Sequence, residues 1–238
     1  MLLDASENWP PPARRRVYLM RHAEVEYFDR EGRPQHPDHV PLNAAGERQA
    51  RAAAGALAEV TFDRVICSGL PRTEQTARIV LGERAVPIEA QPRLREIEPG
   101  RFADIAAAPR ELVRQAILGS LADHITPESR FLGGETFGSC ADRVTAVWRG
   151  LVEDAEWRVL LVVAHGVVNR LLLAHVLGVP LAGVGRMEQD AGCINLIDVG
   201  EGGAPLVRLV NATALNPGKV GMKLSTLEGL YQQYLRGR

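Results

Sequence analysis

The chain has few cysteines, almost no net charge and no long hydrophobic run, and each shortage excludes a class of protein. Its three cysteines are widely spaced and odd in number, which argues against a disulfide framework and favours a reducing, cytoplasmic location. No apolar stretch reaches ~18 residues without a charge, so no membrane span is expected. The first residues also lack the apolar segment of a signal peptide.

The near-zero net charge argues against binding to nucleic acid or to a membrane surface. Lysine and arginine total 28 against 29 acidic residues, for a net charge of −1. Net charge does not exclude a local anion pocket. The composition, 46% hydrophobic and 24% charged, is typical of a globular protein, and a chain of this length can bury a substantial core. Nothing in the sequence indicates an oligomeric state.

The pattern along the chain predicts an α/β fold. Pro10–Pro12 favour extended geometry, so residues 1–15 are predicted to form an N-terminal arm and residues 16–238 a single catalytic domain. Strands are predicted over 17–20, 63–67, 86–89, 158–164, 193–199 and 206–210. Helices are predicted over 43–59, 72–81, 104–119, 136–155, 167–177 and 224–235. This alternation implies a three-layer α/β/α sandwich around a mostly parallel sheet.

Two histidines directly follow strand-like runs. His22 follows Val17–Met20, and His165 follows the apolar run that ends at Ala164. Ligands of open α/β sheets bind outside the carboxyl ends of the strands, so both histidines are candidate site residues. Arg21, Arg72 and Glu96 lie beside strand-like runs as well.

These five residues suit phosphoryl transfer. A neutral imidazole can act as the nucleophile, and a backbone carbonyl at its other ring nitrogen would fix the tautomer. The planar guanidinium of arginine matches phosphate oxygens, and a carboxylic acid can protonate the leaving group. Together, they would supply the parts of the reaction without a metal.

The same motifs, taken in order, resemble the histidine phosphatase superfamily, which is also called the phosphoglycerate mutase-like family. The resemblance is carried by residues 19–24 (LMRHAE), 41–50 (PLNAAGERQA), 67–77 (CSGLPRTEQTA), 94–100 (LREIEPG), 133–136 (GGET) and 163–166 (VAHG). It implies the phosphoglycerate mutase-like fold. It also implies that His22 takes the phosphoryl group, that Arg21, Arg72 and His165 hold its oxygens, and that Glu96 protonates the leaving group. The family uses neither a metal nor an organic cofactor.

The chain departs from the family pattern near the predicted nucleophile. Phe28 stands where asparagine is usual, and Val25 where a small hydroxyl residue is common. Each replacement is expected to remove a hydrogen bond to phosphate, worth ~1.5–3 kcal/mol. Ala23 replaces a glycine, and residues 101–104 (RFAD) replace a usual Trp-Glu-Gly continuation.

Residues other than Glu96 could also protonate the leaving group. Glu98 lies two positions after Glu96, so either side chain could face the site if the segment is extended. Glu24 and Asp104 are the next candidates.

Other polar residues are given ordinary roles. His36 and His39 are predicted to be loop histidines without a metal, because no third ligand is evident. Arg170 is predicted to be a structural or salt-bridge residue. The glycine-rich residues 200–203 lack the pattern of a dinucleotide site and are predicted to form a hairpin turn.

The predicted function is hydrolysis of a small phosphomonoester through a phosphohistidine on His22. One alternative is a phosphoglycerate mutase, although family mutases usually have a longer insertion between the acid and the Gly133-Gly134-Glu135 motif. The other is a degenerate module that only binds a phosphorylated ligand. The sequence does not name the substrate.

Overall fold

A computed structural model describes residues 13–29, 33, 35–100, 108–121 and 124–236. Most of the predicted N-terminal arm, the segment 101–104 with Asp104, and the beginning of the predicted helix 104–119 therefore lie outside the described residues. Within the described residues, no helix is long and apolar enough to cross a membrane.

A central sheet of six strands organises the fold, and its strands have the order β3-β2-β4-β1-β5-β6. The strands are β1 (Arg15–Arg21), β2 (Arg64–Cys67), β3 (Ile88–Ala90), β4 (Val159–Ala164), β5 (Ile194–Val199) and β6 (Pro205–Ala212). The pairs β1–β4, β2–β4 and β2–β3 are parallel, whereas β1–β5 and β5–β6 are antiparallel. The sheet is therefore mostly parallel, as predicted, and residues 200–203 connect the antiparallel strands β5 and β6.

Helices cover both faces of the sheet. They are α1 (Ala44–Ala56), α2 (Pro71–Leu81), α3 (Arg110–Gly119), α4 (Phe137–Glu153), α5 (Gly166–Leu177) and α6 (Thr226–Arg236). Successive side chains of a strand point to opposite faces. In β1, Leu19 packs with residues of α4 and α5, while Met20 packs with residues of α1 and α2. These two cores confirm the predicted three-layer α/β/α sandwich.

The sequence explains where the helices next to the site begin. The side chain of Asn43 accepts a hydrogen bond from the backbone of Gly46 at 2.8 Å and caps α1, as predicted. Pro71 occupies the first turn of α2, where its missing N–H costs nothing. Gly46 is required for a close approach, because a Cβ there would lie 2.1 Å from the carbonyl oxygen of Glu24.

A third cluster lies away from the sheet and joins α3 to α6. It contains Phe28, Val113, Ile117 and Tyr234, and the rings of Phe28 and Tyr234 are 5.7 Å apart. The side chain of Phe28 thus packs in an apolar cluster. Val25 is also buried, in an isolated antiparallel bridge with Leu42.

Candidate active site

The strand order brings the two predicted histidines together. β1 and β4 are adjacent and parallel, so His22 and His165 leave the same edge of the sheet. Their ring centroids are 5.2 Å apart, and both side chains are buried. Backbone hydrogen bonds fix the first of them: His22 N donates to Ala164 O at 2.9 Å, and Gly192 N donates to His22 O at 3.1 Å.

His22 has the geometry of a nucleophile. Its Nδ1 lies 2.8 Å from the carbonyl oxygen of Ala23, so an Nδ1–H tautomer would donate to that carbonyl and leave Nε2 unprotonated. Burial lowers the pKa of His22 well below its ordinary value, and the charges of Arg72 and Arg21 lower it further. The imidazole is therefore neutral at neutral pH.

His165 is held by a residue to which sequence reasoning gave no role. Its Nε2 lies 2.8 Å from Ser68 Oγ, at the end of β2. Burial lowers the pKa of His165 well below its ordinary value as well, and the charge of Arg72 lowers it further. Ser68 belongs to the motif that contains Arg72, so its position in that motif was the available signal.

Arg21 and Arg72 enter the same region from β1 and α2. Arg21 Nη1 donates to Gln189 O at 2.7 Å and to Thr226 Oγ1 at 3.2 Å. Arg72 Nη1 donates to Pro37 O, and its guanidinium lies 6.0 Å from the ring centroid of Tyr27. Neither arginine forms a carboxylate ion pair among the described residues. No signal in the sequence pointed to Gln189 or Thr226.

Three buried nitrogen atoms of these residues have no protein partner among the residues that the structure describes. They are Arg21 Nε, Arg72 Nε and His165 Nδ1. Buried polar atoms are nearly always hydrogen-bonded, and an unpaired one costs ~1–3 kcal/mol. An anion with several acceptor oxygens would satisfy such a set.

Glu96 lines one cavity with Arg21 and Arg72 and lies against the start of α5. Its Oε1 accepts from Val167 N at 3.2 Å and from Val168 N at 3.3 Å, and it also accepts from its neighbour Ile97 N at 3.1 Å. The first N–H groups of a helix have no partner within the helix, so they are available to orient this carboxyl group. The carboxyl group is thereby fixed at the first turn of α5, the helix that begins directly after His165.

Glu98 is held differently from Glu96. Its side chain is exposed, while its backbone is paired with Glu135: Glu135 N donates to Glu98 O at 2.8 Å, and Glu98 N donates to Glu135 Oε2 at 3.1 Å. Gly134 permits this approach, since a Cβ there would lie 2.2 Å from Glu98 O. The carboxylate of Glu24, the next candidate, accepts from Asn43 Nδ2 at 3.1 Å and Gln49 Nε2 at 3.3 Å.

Arg143 of α4 secures the acid segment, although nothing in the sequence indicated it. Its guanidinium donates to Arg93 O at 2.8 Å, to Arg95 O at 2.7 Å and to Glu96 O at 3.2 Å. It also pairs with Glu135 at 2.9 Å. One arginine thus holds three carbonyls of the segment that carries Glu96.

Two cavities meet at Arg21. The larger, of about 380 Å³, is lined by His22, Glu24 and Gln49 on one side and by α6 on the other. The smaller, of about 130 Å³, is lined by Arg21, Arg72 and Glu96 but by neither histidine. Leu230 of α6 lines both cavities.

Arg170, His36 and His39 were predicted to have no part in the reaction. Arg170 is buried, pairs with Glu188 and donates to Met187 O at 2.6 Å, which confirms its prediction as a salt-bridge residue. The rings of His36 and His39 are 4.9 Å apart. Across the residues that are described, no group of three or more His, Cys, Asp or Glu side chains is arranged to hold a metal ion.

A buried histidine pair lies beside two arginines with unpaired donors at one edge of the sheet, an arrangement that suits phosphoryl-transfer chemistry. The family model of the histidine phosphatase superfamily (branch 1) matches residues 17–212. The chain belongs to this superfamily. The predicted resemblance and the predicted phosphatase class are therefore confirmed.

Individual relatives agree with this assignment. The adenosylcobalamin/alpha-ribazole phosphatase of Escherichia coli (strain K12) is 31% identical over 205 residues, which are 84% of this chain and 97% of the relative. A probable phosphoglycerate mutase GpmB of Enterobacter sp. (strain 638) is 32% identical over 189 residues, 78% of this chain and 85% of the relative. The crystal structure of a putative alpha-ribazole-5'-P phosphatase from E. coli has a TM-score of 0.68 and 29% identity, covering 83% of this chain and 96% of that one.

Proposed function

We propose that the chain hydrolyses a small phosphomonoester through a phosphohistidine on His22. The observation that carries this proposal is the buried, neutral imidazole of His22, whose Nδ1 faces the Ala23 carbonyl at 2.8 Å. A neutral ring with one nitrogen occupied by a carbonyl presents the other as a nucleophile.

The reaction has two balanced steps. In the first, Nε2 of His22 forms a bond to phosphorus while the bond from phosphorus to the ester oxygen breaks, and Glu96 gives its proton to that oxygen. In the second, water attacks the phosphohistidine, Glu96 takes a proton from the water, and the N–P bond breaks to release inorganic phosphate. Glu96 thus serves as acid and then as base.

Arg21, Arg72 and His165 are proposed to hold the phosphoryl oxygens. Their unpaired donors, Arg21 Nε, Arg72 Nε and His165 Nδ1, support this role, because charge stabilisation dominates phosphoryl transfer. Two guanidinium groups supply the positive charge, so the proposal includes no metal and no organic cofactor. We also propose that residues 16–238 form one catalytic domain, since α6 packs against α3 and reaches Arg21.

A mutase is the second candidate, because one relative bears the name of a probable phosphoglycerate mutase. A mutase must return the phosphoryl group to a second substrate and keep water out. The short connection between Glu96 and the Gly133–Glu135 motif favours the hydrolase.

The test is to trap the phosphoenzyme. Rapid quench with a labelled phosphomonoester in the presence of EDTA should give an acid-labile, base-stable phosphoprotein and release phosphate. His22→Ala should remove both signals and lower kcat about 10⁴-fold or more. His175→Ala is the matched control, since His175 is exposed near the end of α5. Full turnover by a folded His22→Ala variant would refute the assignment, and loss of wild-type activity in EDTA would refute the metal-free mechanism.

A further inference from the structure

The part of the chain beyond the family match contributes directly to the site. The match ends at residue 212, whereas α6 spans Thr226–Arg236. Thr226 Oγ1 accepts from Arg21 Nη1 at 3.2 Å and lies within donating distance of two acceptors, Glu188 Oε1 at 2.8 Å and Gln189 O at 3.0 Å. Gln233 accepts from Tyr27 N at 3.1 Å and donates to Val25 O at 3.2 Å. Helix α6 is thereby fixed against both the β1 edge and the loop after His22.

The smaller cavity is on the side of the leaving group. In an in-line displacement, the leaving oxygen lies opposite the attacking atom and next to the acid. The cavity of about 130 Å³ is lined by Arg21, Arg72 and Glu96, while His22 and His165 do not line it. A phosphoryl group held by the arginines would therefore direct its ester substituent into this cavity.

The walls of this cavity are largely apolar, and α6 supplies part of them. A wholly apolar cavity of about 150 Å³ holds one benzene ring, and this cavity, at about 130 Å³, is comparable in volume. Its apolar wall includes Tyr27, Leu121, Phe131, Leu132, Leu227 and Leu230.

The charges at the cavity do not suit an anionic leaving group. Arg95 lies 3.8 Å from Asp38, and Arg170 pairs with Glu188. Arg21 and Arg72 are required for the phosphoryl oxygens. Arg95 and Arg170 each already face a carboxylate, and the acids Glu96 and Glu98 line the cavity as well. A carboxylate on the leaving group would therefore have to compete for Arg95 or Arg170 beside other acidic groups in a partly buried site, which is costly.

We infer that the substrate is an ester of phosphate with an uncharged alcohol that carries an apolar ring or a comparable hydrocarbon group, and that α6 selects it through Leu227 and Leu230. This inference rests on the proposed function. The inferred class of substrate does not include phosphoglycerates, because their leaving group bears a carboxylate.

The first test compares alkyl esters that all depend on an acid. Benzyl phosphate, glycerol 3-phosphate and 3-phosphoglycerate are assayed for phosphate release by the full chain. Benzyl phosphate should have the highest kcat/KM, by about tenfold or more, as expected when a hydrophobic pocket gains or loses an apolar group. Equal kcat/KM values, or a preference for 3-phosphoglycerate, would overturn the inference.

Variants of α6 test where the preference arises. Leu227→Ala and Leu230→Ala should lower kcat/KM for benzyl phosphate about tenfold more than for glycerol 3-phosphate. Leu230→Arg should raise the ratio of 3-phosphoglycerate to benzyl phosphate, because it supplies a cation. Leu235→Ala is the matched control: Leu235 packs in the α3–α6 cluster but does not line the cavity. An equal loss on all esters in Leu227→Ala and Leu235→Ala would mean that α6 only stabilises the fold.

A binding measurement separates this inference from the proposed function. Benzylphosphonate and 2-carboxyethylphosphonate are not hydrolysed, so calorimetry can measure their binding alone. The wild type should bind benzylphosphonate with the lower Kd. Leu230→Ala should weaken binding of benzylphosphonate by about the factor by which it lowers kcat/KM for benzyl phosphate. If benzylphosphonate binds preferentially but no ester is hydrolysed, the proposed function fails and the cavity assignment stands. If esters are hydrolysed through His22 without a ring preference, the cavity assignment alone fails.

Discussion

The carboxylate of Glu96 is oriented by three backbone N–H groups, two of which belong to the first turn of α5. Hydrogen bonds from Val167 N and Val168 N leave this side chain little freedom. The exposed carboxylate of Glu98, on the same segment, has no such constraint. The spacing of two residues predicted that either acid could face the site, and both line the smaller cavity. They differ in that backbone N–H groups of α5 hold the carboxyl group of Glu96.

Substrates whose leaving groups differ in their need for a proton can distinguish the roles of Glu96 and Glu98. Glu96→Gln should lower kcat on an alkyl phosphate by about 10²–10⁴-fold and change turnover of p-nitrophenyl phosphate far less, because p-nitrophenolate leaves without a proton. Glu98→Gln is the control and should change neither. A leaving-group-dependent loss in Glu98→Gln alone would exchange the two roles.

Replacement of Arg72 by lysine tests whether the site requires a planar cation to bind the phosphoryl group. Arg72→Lys keeps the charge but cannot present two parallel donors to a phosphoryl group, so kcat should fall by about 10²–10³-fold and inhibition by vanadate should weaken. Arg78→Lys on the same helix is the control, because its side chain is 71% exposed. Unchanged activity in Arg72→Lys would place Arg72 outside the phosphate clamp.

At the scale of elements, α4 and the acid segment are connected by one side chain. Arg143 binds carbonyls of residues 93, 95 and 96 and pairs with Glu135. Both side chains are largely buried, so removing the arginine leaves a carboxylate without its counter-ion. The acid segment would then lose three of the bonds that position it.

Arg143→Ala should therefore lower the free energy of unfolding by about 3 kcal/mol and lower kcat more on alkyl esters than on p-nitrophenyl phosphate. Urea denaturation and the two assays measure these effects. Arg149→Ala, an exposed position of the same helix, should change neither. A stability loss with no difference between esters would limit Arg143 to a structural role.

The elements were largely predictable from sequence, and the site was predictable in part. Buried strands such as β4 are short apolar runs, and α1 has its Asn43 cap, so periodicity and capping located both. Ser68, Arg143, Gln189 and Thr226 were missed as site residues because their contacts span distant segments, and no local pattern records which strand lies beside which. Phe28 illustrates the same limit, since its partner Tyr234 lies in the last helix.

At the scale of the whole molecule, the two buried histidines couple folding to pH. Both have pKa values well below the ordinary 6.5 because of burial and the nearby arginines. Below that pH, the unfolded chain binds protons that the folded chain does not. The free energy of unfolding should thus fall as the pH drops below ~6.5, by up to ~1.4 kcal/mol per pH unit for each histidine.

Urea denaturation at pH 7.5 and pH 5.5 measures this loss. A His22→Asn/His165→Asn double variant should lose less stability between the two pH values than the wild type. Equal losses would show that carboxylates and not these histidines govern the acid sensitivity.

The position of β1 in the sheet also constrains how the chain is made. β1 pairs with β4 and β5, both of which lie far downstream, so during synthesis on the ribosome it emerges long before either neighbour exists. Until residue 164 has left the exit tunnel, its backbone groups have no native partner, and pairings this distant in sequence form slowly. A nascent chain stalled before β4 therefore presents an unpaired strand with an apolar centre, Val17–Met20, and unpaired strands with exposed apolar surface tend to aggregate or require a chaperone.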